Sequence, residues 1–269
     1  MADNPSVDSE AMGDCASSGI SPRDSSEHGG NLAREPGCRE KEARAIAADA
    51  SMGFSCAHPA ALAVLRPGET VLVLDTGTGF DVFLAARKVG ASGLSIGVHA
   101  TPEMLARAHH SAEVYRNQSG LDNVEFRLGK TEYLPVADAA IDTVICNSIM
   151  NLSSNKPQVW REMARVLKPG GRVIVTDTAL LKPLPEGALK LLNAFVGCVA
   201  GAVLAAEDEC MAREAGFCQI VLKMKPRYIE LMTNWEDPLY QEIMRHLPPG
   251  AVPGDYITSL EIQARKPEV

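Results

Sequence analysis

The run Thr70–Leu74, TVLVL, is apolar or β-branched at every position, and the turn DTGTG follows it at once. A strand without a polar face must be covered on both sides, as in a parallel sheet flanked by helices. The same pattern recurs along the chain. Strands are expected at 70–74, 94–98, 124–128, 142–146 and 172–176, with a late strand at 256–264. Helices are expected at 81–89, from Pro102 to near Gly120, and at 158–167, 186–199 and 207–215. Lys168-Pro169-Gly170-Gly171 reads as a helix stop. Strands separated by helical stretches imply right-handed βαβ units in a parallel sheet.

Composition narrows the function classes. The 269 residues are 46% apolar and carry a formal net charge of −8, with no Lys/Arg stripe against that balance. This argues against binding nucleic acid by phosphate neutralisation. No apolar run approaches the roughly 20 residues of a membrane helix. The opening MADNPSVDSE has neither basic nor apolar leader character, so a cytoplasmic chain without membrane partners is expected. Residues 1–38 are Ser, Gly, Asp and Glu with hardly a large apolar side chain, which predicts a disordered tail. An Ala-rich helix is expected at 39–50, and residues 39–269 are read as one domain. The seven cysteines (15, 38, 56, 146, 198, 210 and 218) include no C-x-x-C pair, so no metal site is expected. For Cys210 and Cys218 the expected role is a buried small residue.

In a doubly wound sheet, ligands bind beyond the carboxyl ends of the strands, where the first strand turns into a helix. Thr76-Gly77-Thr78-Gly79 occupies that point. Glycines there let backbone N–H groups approach a ligand closely. The third glycine of a dinucleotide fingerprint is missing, and no G-K-[ST] follows, which disfavours NAD and nucleoside triphosphates.

The segments GETVLVLDTGTGFDVFLAARKVG, GVHATPEMLARA, LDNVEFRLGKTEYLPVAD, VLKPGGRVIVTD and FVGCVAGA resemble class I S-adenosylmethionine (SAM) methyltransferases, specifically the arsenite methyltransferase family. The likeness runs almost ungapped over residues 51–266. It implies an α/β, Rossmann-like class I methyltransferase fold: a mostly parallel, doubly wound seven-stranded sheet with an antiparallel final strand and a C-terminal cap region. It also implies cofactor contacts at Asp75, Thr76, Gly77, Thr78, Gly79, His99, Ala100, Thr131, Glu132 and Asn147. A small-molecule pocket is implied at Cys56, Cys146, Ser148, Met150 and Cys198.

Several of these positions depart from the family pattern. The family's strand carboxylate falls on Val73, its first glycine on Asp75, and its ribose-binding acid on His99. A carboxylate accepts from both ribose hydroxyls, whereas a neutral imidazole has one acceptor nitrogen. Losing two hydrogen bonds to charged groups would weaken SAM binding by roughly two to four orders of magnitude. The family's arsenic thiolates fall on Cys56, Ser148 and Cys198, and a serine hydroxyl does not replace a soft thiolate. Arsenite is therefore disfavoured as acceptor, although Cys146, two residues before Ser148, could share its direction. Asp75 and His99 would end neighbouring strands about 5 Å apart, an arrangement suited to catalytic acid–base chemistry.

Three readings stay open on the sequence. One is SAM-dependent methyl transfer to a small-molecule acceptor such as a natural product. Another is a cyclase or isomerase built on the same scaffold, and the last is a non-catalytic pseudo-methyltransferase.

Overall fold

The computed structural model describes residues 64–74, 79–188, 201–225 and 245–269. The expected tail, the helix at 39–50 and most of the helix at 186–199 lie outside these residues. Seven strands are present: Thr70–Leu74 (β1), Leu94–His99 (β2), Val124–Leu128 (β3), Ile141–Asn147 (β4), Leu167–Leu180 (β5), Cys218–Lys225 (β6) and Ile257–Arg265 (β7). They form one sheet in the order β3-β2-β1-β4-β5-β7-β6, with β7 antiparallel to both of its neighbours. The other pairings are parallel.

The apolar run of β1 divides by alternation. Val71 and Val73 join Phe83, Tyr115 and Phe126 on one face, while Leu72 and Leu74 join Trp160, Met163 and Ile262 on the other. The first face lies under helices α1 (Phe80–Val89) and α2 (Pro102–Ser119). The second lies under α3 (Lys156–Val166) and α4 (Ala205–Glu214). Helix ends follow local chemistry. Thr101 caps α2 by accepting from the Met104 amide at 3.3 Å, with Pro102 in the first turn and Gly120 left-handed at the end. Asn155 caps α3 in the same way at 3.2 Å.

Three sequence expectations are corrected. The helix does stop at Val166, but Lys168-Pro169-Gly170-Gly171 lies inside β5. Leu167 pairs with Ile141 and Arg172 with Thr143, so the four residues form a bulge. Gly170, at φ +73°, lets the bulge turn toward the C-terminal segment, where its amide donates to the carbonyls of Lys266 and Pro267, each at 3.1 Å. Strand β6 is additional to the strands expected from the segment pattern. Its alternation of packed Ile220 and Leu222 with exposed Val221 is that of an edge strand. Cys210 is exposed on α4 and lies 3.6 Å from a Glu214 carboxylate oxygen, which pushes its thiol pKa up, while Cys218 is half-buried. Among the described residues, no helix is long and apolar enough to cross a membrane.

Candidate functional site

The strand order reverses between β1 and β4, so the crevice a doubly wound sheet offers to ligands opens beyond the carboxyl ends of these strands. The turn leaving β1 is described only at Gly79, because Asp75, Thr76, Gly77 and Thr78 lie outside the described residues. Gly79 precedes α1 with φ +96°. A Cβ there would lie 2.7 Å from the Phe126 ring, so both conformation and space require glycine.

On the β2 side stands His99, in register with Leu128 of β3. Its ring lies 5.4 Å from that of Phe126, which His109 of α2 also meets edge-on at 6.1 Å. Phe126 in turn fills the space left by two glycines, since a Cβ on Gly97 would also reach within 2.7 Å of it. His99 is 1% exposed, and among the described residues neither ring nitrogen has a hydrogen-bond partner. Burial, reinforced by His109, lowers its pKa to about 4, so the imidazole is neutral near pH 7. Ala100, the next residue, is exposed.

The β4 side is hydrogen-bonded throughout. Asn147 Nδ2 donates to Asp81 Oδ2 at 2.9 Å, joining the end of β4 to the first turn of α1 across the crevice. Ser148 follows with φ +53°, uncommon for a residue other than glycine. Its amide donates to the Thr176 carbonyl at 2.8 Å and its hydroxyl to Asn147 Oδ1 at 3.3 Å. Glu132, half-buried in the loop after β3, accepts from the hydroxyls of Thr131 (3.2 Å) and Ser153.

Asp177, near the end of β5, accepts from the Asn151 amide (3.1 Å), Asn151 Nδ2 (2.8 Å) and the Thr178 amide (2.7 Å). Buried Lys156 and Asp208 complete a group contributed by β5, α3 and α4. Burial raises the pKa of each of the two aspartates to about 6, while desolvation lowers that of Lys156. Gly201 packs against the same turn, where a Cβ would lie only 1.9 Å from the Asn151 carbonyl oxygen.

Of the expected site residues, the structure gathers Gly79, His99, Thr131, Glu132, Asn147 and Ser148 on the loops and strand ends at the carboxyl edge of β1–β4. Cys146 and Met150 sit in the core instead. Each is 1% exposed in the cluster with Leu72, Leu74 and Trp160. Alternation fails to carry Cys146 toward Ser148 because β4 ends at Asn147 and Ser148 turns left-handed. Cys56 and Cys198 lie outside the described residues. Sequence reading missed the Asp177–Lys156–Asp208 group, although an acid at the carboxyl end of a buried strand was its visible signal.

The described residues leave a polar crevice that fits SAM, with the family's acids replaced by Val73 and His99. Asn147 and Asp81 fix the crevice wall, and His99 holds the position of the family's ribose-binding acid. The imidazole supplies one donor and one acceptor there instead of an anion.

A glycine turn, a polar crevice at the switch point and this strand order define a class I methyltransferase-type α/β protein. The family described as "Methyltransferase domain" matches residues 65–226. The arsenite methyltransferase of Halobacterium salinarum is 40% identical over 222 residues, covering 82% of this chain and 53% of that protein. The chain spans about half the length of the curated relatives it matches. The crystal structure of an arsenic(III) SAM methyltransferase from Chlamydomonas reinhardtii is 26% identical, with TM-score 0.62, covering 93% of this chain and 74% of that one. The [4+2]-cyclase SpnF, at 22% identity and TM-score 0.55 over 76% of each chain, shares the fold. This chain belongs to the methyltransferase-domain family, a family of SAM-dependent methyltransferases.

Proposed function

We propose that the chain transfers the methyl group of SAM to a small-molecule acceptor whose nucleophile is oxygen, nitrogen or carbon, and that arsenite is not that acceptor. Ser148 carries the reading. It follows β4 at the switch point with a constrained backbone, and its hydroxyl is oriented by Asn147, which is itself held by Asp81. A hydroxyl orients a hard nucleophile by hydrogen bonding but binds trivalent arsenic poorly. Cys146 cannot make good the missing thiolate from within the core.

SAM, when bound, supplies an electrophilic methyl group on a sulfonium. The chain's own part is positional. Gly79 sets the left-handed turn into α1, while Asn147 and Asp81 hold the wall between the two halves of the crevice. Glu132 presents a carboxylate fixed by Thr131 and Ser153. Ser148 is the contact proposed for the acceptor.

Calorimetry with SAM tests the first half of this reading: no heat at millimolar ligand would exclude it. Formation of S-adenosylhomocysteine with phenol, amine and arsenite acceptors tests the second. Methylated arsenic as the main product would overturn the acceptor class.

The neutral, unpartnered His99 favours a second reading, in which it works with Asp75 as an acid–base unit in a cyclisation or isomerisation. That reading requires turnover without added SAM, and a fully active His99→Ala variant would remove it.

A further inference from the structure

Three consecutive residues at the carboxyl end of β5 hold the segment that follows β4. The Thr176 carbonyl accepts from the Ser148 amide at 2.8 Å, Asp177 accepts from the Asn151 amide and side chain, and the Thr178 carbonyl accepts from Asn151 Nδ2 at 2.7 Å. Between these anchors the chain makes one 3-10 turn, Met150–Leu152. The Leu152 and Ser153 amides close it by donating to the Ile149 and Met150 carbonyls at 3.1 and 3.2 Å. Gly201 packs on the turn so closely that any Cβ there would overlap the Asn151 carbonyl. A turn bonded and packed in this way moves as a unit. Its two ends carry functional groups. Ser148, the contact proposed for the acceptor, leads into it. Ser153 leaves it, and its hydroxyl donates to Glu132 while accepting from the Asn155 amide at 3.1 Å.

Building on the methyl-transfer reading, we propose that Asp177 is a positioning residue. By locking the turn after β4 it sets Ser148 on the acceptor side and, through Ser153, the Glu132 carboxylate on the cofactor side. Asp177 is buried and spends its oxygens on the turn, so it acts through Asn151 and not by touching a ligand. Three N–H donors converge on it: the Asn151 amide, Asn151 Nδ2 and the Thr178 amide. An ionised carboxylate has acceptors for all three, whereas an isosteric amide would turn a donor toward one of them. The charged groups that face it are Lys156 of α3 and Asp208 of α4. With its pKa raised by burial to about 6, the fully accepting form prevails at neutral pH and is lost on acidification.

The test is a coupling cycle on the full chain, read as S-adenosylhomocysteine affinity by calorimetry at pH 7.5. The proteins are the wild type, Asp177→Asn, Ser153→Ala and the double variant. Each single change should weaken binding by about fivefold, the scale of one neutral hydrogen bond. Adding Asp177→Asn to Ser153→Ala should cost no more than about twofold, because the link through which Asp177 acts is already cut. Between pH 7.5 and 5.5 the wild type should lose affinity more steeply than Asp177→Asn. Asp208 titrates in the same range but is present in both proteins, so the difference belongs to Asp177. Unchanged affinity in Asp177→Asn would overturn the proposal, and so would a full fivefold loss from it in both backgrounds, the mark of general loosening. Either result leaves the methyl-transfer reading standing. No binding by the wild type would instead sink that reading and this proposal with it. Melting curves establish that the proteins compared are folded. If Asp177→Asn does not fold, Asn151→Ala, which removes the side-chain half of the same link, takes its place in the cycle with the same two readings.

Discussion

The two sides of the crevice bury polar groups in opposite ways. On the β2 side His99 lies against aromatic rings with both nitrogens unpaired, and burial keeps it neutral. On the β5 side Asp177 is also buried but accepts three hydrogen bonds, with Lys156 nearby. A paired buried group organises the chain around it, and an unpaired one lowers stability until something completes it. The β5 side therefore reads as architecture that holds the 3-10 turn Met150–Leu152, and the β2 side as the place where hydrogen-bonding capacity is left over.

The largest contrast is expected from deletion. Asp177→Ala strands the Asn151 and Thr178 amides, leaves Asn151 Nδ2 with only the Thr178 carbonyl, and leaves Lys156 with Asp208 as its remaining acidic neighbour. A loss of about 3–5 kcal/mol is expected in urea unfolding. A loss below about 1 kcal/mol would mean that the network does not hold the turn.

Titration should separate the same two sides by sign. The pKa of His99 is depressed from 6.5 to about 4, so its contribution is present above pH 6.5 and lost as pH falls through 4, about 3 kcal/mol in all. The pKa values of Asp177 and Asp208 are raised from 3.8 to about 6, so their contribution is present below pH 3.8 and lost as pH rises through 6. The opposing slopes overlap between pH 4 and 6. In that window the His99→Leu variant should gain stability on acidification relative to the wild type. An Asp177→Asn, Asp208→Asn double variant should lose stability relative to the wild type. Parallel curves for all three proteins would remove the basis of the comparison.

The difference between the sides also explains what could be read beforehand. Strands β1, β2 and β4 were legible because their apolar runs are bounded by turn residues, β3 because its alternating VEFRL follows the end of α2, and Thr101, Pro102 and Gly120 mark α2 unaided. The edge strand β6 was not, because alternating Ile220, Val221, Leu222 and Lys223 carries only half an apolar signal. Lys168-Pro169-Gly170-Gly171 ends a helix as its composition says, yet pairing with β4 and the C-terminal segment absorbs it into β5. At the site, His99 and Asn147 could be placed because strand ends face the crevice. Cys146 and Met150 could not, because a left-handed residue at 148 breaks the alternation. The group of Lys156, Asp177 and Asp208 comes from three elements far apart in sequence, and each charge alone resembles a surface residue.

A smaller effect probes the packing beneath His99. Gly97→Ala would put a Cβ 2.7 Å from the Phe126 ring and 2.9 Å from Val82, costing about 1–3 kcal/mol by overpacking. Combining it with Phe126→Leu should recover part of that loss, because the shorter side chain vacates the space. Strict additivity in the double variant would mean that the strain lies elsewhere, for example against Val82.

The smallest change expected is His99→Leu at pH 7.5. Most buried polar residues resist such a replacement because it strands their partners, but among the described residues His99 has none to strand. Leucine removes two unpaired nitrogens and keeps an apolar contact with Phe126, so the unfolding free energy should stay within about 1 kcal/mol of the wild type or rise. The same replacement in a paired site such as Asn123 should behave differently. There the side chain donates to the Ala86 and Gly90 carbonyls at 2.8 Å each and accepts from the Tyr115 hydroxyl at 3.1 Å. Asn123→Leu should cost about 2 kcal/mol or more by leaving those groups unpaired. Equal losses at positions 99 and 123 would show that His99 has a structural partner after all, and the β2 side would then be architecture like the β5 side.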